Sequence, residues 1–468
     1  MKHYFQIIPF VLSVLILSTL SCRKNDKPDN TPGLNLAFST DTVLFDTLLT
    51  TVGSVTRRLI VYNPNQNKVS VSKIMLSGGN SSNYRLNIDG IPSLEVSDLE
   101  INGNDSIFIF IRVTVDPKNL STPFIVSDSI RFELNGNQQY VQLVAWGRDA
   151  IFYHNQILTG AHQWDSTRAR VIFGGIRVDT SSILTILPGT KVYFHKDSYM
   201  TVSWLGTLNV LGTTDFPVWF RSDRLDPFYN ELPGQWLGIF LERGSRAHRI
   251  ENARILNGVY GLLADQPSSP TSVMLTLTNS IIRNMTMSGI YAYGTSIAAT
   301  NCVIGDCGQH GIDITYGGSY DFRHLTIGNY WFSSVRRAPS VAISNYDYDT
   351  AGKKIVNSLV KAYFGNCILY GANEEEIGFD SVAGVAYEYK FENTLLRTLL
   401  PLTNSNRFVN CLKNKNPRFV NAQLWNYQID SISPAIDQGA DLGLPFDLRG
   451  LSRTLPPDLG AFEYVKVR

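Results

Sequence analysis

The chain has 468 residues, 44% of them hydrophobic and 17% charged, with a formal net charge of +1. Such a length predicts roughly two to four domains, and the composition suits a folded chain with a sizeable core. No stripe of one charge sign occurs, which excludes a dedicated nucleic-acid binder.

The N-terminus, "MKHYFQIIPFVLSVLILSTLSC", starts positive at Lys2, runs apolar from Phe5 to Leu20 and stops at Cys22. The run is short for a membrane span and is interrupted by Pro9, so the pattern is that of an export signal. Polar residues 23–36 follow as a linker. The segment resembles a bacterial lipoprotein signal, with Ser21 before the cysteine and Thr19 departing from the usual leucine. That resemblance implies a signal over 1–22, lipidation of Cys22, and a mature chain tethered to the outer membrane of a Gram-negative envelope, facing the surface or the periplasm. Acyl chains anchor by burying methylenes, at about 0.8 kcal/mol each. The other cysteines, Cys302, Cys307, Cys367 and Cys411, are too sparse for a secreted disulfide scaffold.

Residues 37–150 alternate in short strands broken by turns, as in "RRLIVYNP", "VSVSKIMLSGG" and "DSIFIFIRVTVDP". Period-two patterning at this spacing predicts an antiparallel β-sandwich. "NGNDSIFIFIRVTVDP" resembles the late strands of Ig-like domains of the ASH or choice-of-anchor D kind. Asp105 and Asp116 fall at strand ends and read as turn residues.

The rhythm changes from about Ile176. "PGTKVYF", "GTLNVLGT", "PVWFRS" and "GQWLGIFLERGS" resemble the opening coils of right-handed parallel β-helix proteins of the pectate-lyase-like superfamily. A repeat then becomes explicit. "IENARILNGVYGL", "LTNSIIRNMTMSGI" and "ATNCVIGDCGQHGI" share one frame, opened by Asn252, Asn279 and Asn301 and closed by Gly261-Leu262, Gly289-Ile290 and Gly311-Ile312. Asn366 and Asn393 open later copies, and His324 stands in the same slot. Asn279 and Asn301 are 22 residues apart, and strand-like repeats of that period predict a β-solenoid over 151–432. An asparagine at each corner tolerates the left-handed conformation, and its amide can bond the next rung. The predicted fold is therefore all-β: an Ig-like sandwich, then a right-handed parallel β-helix.

Side chains alternate along a strand, which assigns inside and outside. Cys302 points inward with Ile304, in the slot held elsewhere by Ala253, Ser280, Leu325, Cys367 and Thr394, and reads as packing. Cys307 falls past the strand at a corner. Cysteine and histidine on opposite sides of a strand cannot share a tetrahedral ion, so no metal site is predicted. Tyr291, Tyr293 and Asp313 point outward together. Aromatic rings beside a carboxylate suit sugars, which offer apolar C–H faces and hydroxyl donors. The other outward stripe, Arg254, Ile281, Val303, Thr326, Ile368 and Leu395, is mostly apolar and predicts a cover, a loop of this same chain first among the candidates.

The β-helix resemblance brings lyase and glycosidase chemistry into view. The nearest cluster, His310, Asp313, Asp321, Arg323 and His324, lacks the acidic set that would hold calcium, and Asp321 and Arg323 read as a turn. Asp306 and Asp313 form the one conceivable glycosidase pair, but Asp306 holds the corner slot of Asn257 and Asn284. Glu374–Glu376 read as a solvated loop. No cofactor is implied. "SPAID" (433–437) and "DLGAFEY" (458–464) resemble the choice-of-anchor Q-like terminal segment of exported β-helix proteins, and 433–468 are expected to cap the stack. The function expected is non-catalytic binding or display at the envelope, with polysaccharide as ligand and the membrane as partner through the lipid. The alternatives are a polysaccharide lyase or glycoside hydrolase, and a structural or adhesive spacer.

Overall fold

The computed structural model describes residues 27–465, apart from 119, 121–122, 226 and 270–271. Cys22 and the signal segment lie outside the described residues. The chain divides into two compact units, 1–149 and 150–468, and among the described residues no helix is long and apolar enough to cross a membrane.

The first unit is a sandwich of two five-stranded sheets. One contains Arg57–Tyr62, Ser106–Val113 and Tyr84–Ile88, and the other Asn137–Arg148, Phe124–Leu134 and Val69–Leu76. Alternation does the work. In Ser106–Val113 every second residue from Ile107 is buried, and the residues between face outward. The antiparallel expectation has one exception, because Thr42–Leu49 pairs parallel with Asn137–Arg148.

The second unit is a parallel β-solenoid of three sheets. The first sheet holds Gly238–Leu241, Leu262–Ala264 and the first halves of Ile290–Thr300 and Ile312–Arg323. The second holds His248–Glu251, Leu275–Thr278, the second halves of those two long strands, then Leu359–Gly365 and Tyr387–Glu392. The third holds Ala253–Leu256, Ile281–Met285, Val303–Cys307, Thr326–Asn329 and Ile368–Gly371. Register is kept through the stack: Ile255 pairs with Ile282, Ile282 with Ile304, Ile304 with Ile327 and Ile327 with Leu369, all fully buried. Each such side chain is worth roughly 1.5–3 kcal/mol of burial. The phenyl rings of Phe322, Phe364, Phe391 and Phe408 follow one another from coil to coil at 4.7–5.5 Å, the last three stacked and Phe322 tilted against Phe364.

One residue turns the chain from the second sheet into the third. Asn252, Asn279, Asn301, His324, Asn366 and Asn393 all hold it in the left-handed region, at φ of 46–53°. The amides do not run rung to rung as expected. Asn301 Nδ2 donates to the Phe446 carbonyl, Asn366 Nδ2 to Ala440 and Asn393 Nδ2 to Gln438. Only Asn366 meets its neighbour, with 2.9 Å from Nδ2 to His324 Nε2. The acceptors belong to the C-terminal segment, which lies along the flank of the third sheet and not across the end of the stack. Tyr427, Leu448 and Ala461 pack on Val303, and Ile429, Ala435 and Leu459 on Ile368 and Leu395. This strap is the cover over the apolar stripe.

Three further expectations are corrected. Cys307 is interior, paired in register with Met285 and fully buried, because the third-sheet strand continues past the left-handed Asp306. Asp321 and Arg323 lie on a strand, not in a turn. Glu376 is buried, bonded through both oxygens to Arg336 at 2.6 and 2.9 Å and to Ser340 Oγ at 2.6 Å.

Candidate functional site

Across the first sheet, Leu263 pairs with Tyr291 and Tyr291 with Asp313, while Tyr293 pairs with Thr315. The outward residues Tyr291, Tyr293 and Asp313 thus occupy two adjacent coils, about 4.8 Å apart, and each is half-buried. Two tyrosines that alternation did not single out join them. Tyr260 meets Tyr291 edge-on at 6.2 Å, and Tyr316 stacks on Tyr293 at 5.1 Å with ring planes 13° apart.

Tyr316 reaches that position through a bulge. Opposite Tyr293–Thr295, the strand Ile312–Arg323 carries one extra residue at the corner between the first and second sheets. Tyr316 there has φ of 63°, an unfavourable conformation for a bulky side chain. Its ring lies over Gly294, where a Cβ would come within 3.0 Å of Tyr316 Cδ1. A glycine before the bulge is the signal from which the stacked pair could have been read.

Asp313 accepts a hydrogen bond from Thr315 Oγ1 at 3.1 Å, and His310 Nε2 lies 3.9 Å from its Oδ2. The other His310 nitrogen, Nδ1, is 2.7 Å from the Pro339 carbonyl and must carry a proton to bond it. Burial raises the Asp313 carboxyl above its ordinary range, against the opposing pull of His310. Burial, then the neighbouring Asp313, push the Tyr291 phenol to about 12. Burial and a bonded Asp347 do the same to Tyr293. Both phenols therefore stay protonated and can donate at neutral pH. Asp347 comes from the hairpin of Tyr346–Tyr348 with Lys354–Val356, inserted in the long interval between His324 and Asn366.

The arrangement offers two aromatic surfaces flanked by carboxylates, with hydroxyl donors between them. The other sequence candidates fall elsewhere. Asp306 is buried behind the third sheet, where Tyr427 Oη donates to its Oδ2 at 2.5 Å, so it does not face Asp313. His324 is buried in the asparagine ladder. Asp447 and Asp458 brace turns of the strap by accepting from backbone N–H groups of Arg449, Asp437 and Tyr464. Among the described residues no group of three His, Cys, Asp or Glu side chains could hold a metal ion.

No family model and no curated protein matches the chain. Among solved structures, a family 123 glycoside hydrolase from Clostridium perfringens is 9% identical with a TM-score of 0.19, over 27% of this chain and 30% of that one. The chain thus spans under a third of that protein's length. The catalytic unit of a family GH87 α-1,3-glucanase from Streptomyces thermodiastaticus is 11% identical with a TM-score of 0.26, over 76% of this chain and 88% of that one. Dex49A from Penicillium minioluteum is 10% identical with a TM-score of 0.22, over 83% and 86%. None of these brings a substrate assignment to this chain.

Proposed function

We propose that the protein binds polysaccharide, non-catalytically, on the outward face of its first sheet, and that Cys22 tethers it to the outer membrane. The observation that carries the binding reading is the pairing of stacked Tyr293 and Tyr316 with Asp313 and Asp347 on one face. The rings present flat apolar area at low entropic cost. The carboxylates accept from sugar hydroxyls, and the phenols donate.

The test is a glycan array followed by calorimetry on the best ligand. Tyr293→Ala is expected to weaken binding about tenfold, the usual cost of removing a central tyrosine, with the folded state unchanged by circular dichroism. Binding unaffected by Tyr293→Ala and Asp313→Asn together would refute the site. Release of reducing ends, abolished by Asp313→Asn, would instead establish a hydrolase. The tether is tested separately: Cys22→Ser should move the protein from the membrane to the soluble fraction and remove an acyl mass increment.

A further inference from the structure

The sandwich sheet of Arg57–Tyr62, Ser106–Val113 and Tyr84–Ile88 buries every second residue and turns the others outward. Register sets what stands side by side on that outward face. Arg58 pairs with Phe110, Ile60 with Phe108 and Tyr62 with Ser106; on the other flank Phe110 pairs with Asn87 and Arg112 with Arg85. The centre is therefore an apolar stripe whose rings, Tyr62, Phe108 and Phe110, are each 39–41% exposed. Three guanidiniums surround it. Arg58 lies over the Phe108 ring at 5.5 Å, and Arg85 Nη1 donates to the Ser82 and Tyr84 carbonyls.

The charge on this face is of one sign. The ion pairs of the sandwich join other residues, Arg57 with Asp46, Lys68 with Glu100, Lys73 with Glu95 and Arg131 with Glu133. Among the described residues Arg58, Arg85 and Arg112 thus have no carboxylate partner. The outward positions of the three strands hold no acid, and Asp89, Asp105 and Asp116 fall in turns beyond the strand ends. Exposed rings beside unpaired guanidiniums suit the boundary between lipid and water: rings settle at headgroup level, and guanidiniums fork onto phosphates.

Chain length says which surface is within reach. The Asp29 N–H bonds the Lys68 carbonyl, and Asn135 Nδ2 donates to the carbonyls of Asp29 and Thr31. The chain is therefore pinned from Asp29 onward, at the end of the sandwich where Tyr62 emerges. From Cys22 to Asp29 are seven residue steps, which span about 25 Å at most. Strands of six and eight residues are about 20–27 Å long, so a tether at Cys22 brings the whole face within reach of the leaflet.

We propose that this face of the sandwich docks on an anionic lipid surface, with Tyr62, Phe108 and Phe110 at headgroup depth and Arg58, Arg85 and Arg112 on lipid phosphates. The inference rests on the Cys22 tether for the membrane it meets, and a flat leaflet needs no further shape complementarity from a flat sheet.

The experiment is co-sedimentation of residues 27–468, which keep both cores and every sheet given above, with vesicles of phosphatidylcholine alone or mixed equally with phosphatidylglycerol. The chain should sediment with the anionic vesicles only, and raised salt should release it. Arg58→Gln, Arg85→Gln and Arg112→Gln should each weaken partitioning about fivefold, and Phe108→Ala with Phe110→Ala about tenfold. The melting transitions should stay in place, because all five side chains are exposed. Tyr140→Ala, exposed on the other sheet, should change nothing. The proposal is overturned if the anionic vesicles do not retain the chain, if neutral vesicles retain it equally, or if the triple arginine variant still binds. A dimer that Phe110→Arg dissolves would overturn it too, by giving the face to a second copy. The assayed chain carries no acyl group, so failure here leaves the tether standing, and a Cys22→Ser protein that stays in the membrane fraction would refute the tether without touching this result.

Discussion

Glu376 is a carboxylate removed from water, and every acceptor position on it is used. Arg336 forks onto both oxygens, and Ser340 and the Asn373 N–H take the rest. Breaking such a pair from one side strands a buried charge at a cost of about 3–5 kcal/mol, whereas an apolar pair of similar volume is often neutral. Glu376→Gln should therefore lower the urea midpoint steeply, and Glu376→Leu with Arg336→Met should recover most of the loss; a double variant as weak as the single would contradict this. Asp306 obeys the same electrostatics with a different outcome. Burial raises its carboxyl from 3.8 to about 6 despite the Tyr427 and Tyr330 hydrogen bonds and nearby Arg283. The folded state then holds a proton more tightly than the unfolded one, so the contribution is full below about pH 4 and is lost as pH rises through 6. His248 and His324, pushed down to about 3 by burial, run oppositely and add stability as pH rises from about 3 toward 6.5. The difference between the wild type and Asp306→Asn isolates the carboxylate. Measured by denaturation from pH 4 to 6, it should shift against the wild type by up to about 1.4 kcal/mol per pH unit; a flat difference would place the Asp306 carboxyl in its ordinary range.

At the scale of elements, each of these corners is a single left-handed residue, and the side chains of Asn301, His324, Asn366 and Asn393 grip the strap. Asn366 holds the strap twice at Ala440, donating from Nδ2 at 2.7 Å and accepting at Oδ1 from the Ala440 N–H at 3.0 Å. Asn366→Ala loses both bonds and keeps an unfavourable φ of 53°, so it should cost about 2–3 kcal/mol. Asn366→Gly, which relieves the backbone, should cost less. Hydrogen exchange should quicken at 438–446 in both variants, and uniform quickening over the solenoid would argue that the ladder, not the strap, had failed. The ladder was readable in advance because its two requirements are local: a residue that accepts positive φ, and period-two alternation on either side of it. Gly261, Gly289 and Gly311 add a third local mark, since a Cβ at Gly289 would come within 2.5 Å of Ile304. The strap was not readable. Its strands Phe419–Asn421 and Asn426–Ile429 are three and four residues long, without a repeat, and its corner partners lie 45 to 145 residues earlier. Glu376 was misread for a like reason: three glutamates in a row look equivalent until Arg336, 40 residues back, selects one. At the first-sheet face the alternation placed Tyr291, Tyr293 and Asp313 together. It missed Tyr316, because a bulge shifts the inside-outside count beyond it.

At the scale of the molecule, the two largest hydrophobic cores among the described residues have no residue in common, one within 34–145 and one that starts at Tyr153. Each is large enough to be a cooperative unit, and neither completes a sheet of the other. Two unfolding transitions are therefore expected. The solenoid buries more surface and should have the larger denaturant slope, which scales with the area exposed on unfolding. The proposed first-sheet site lies in the solenoid, so a saturating glycan stabilises one transition only. At about one hundred times the dissociation constant the gain is about 2.7 kcal/mol. Calorimetric scans of the protein with and without ligand should show one peak displaced and one fixed. Residues 150–465 expressed alone should reproduce the displaced peak. A single transition that moves as a whole would mean that the sandwich is part of the solenoid's folding unit.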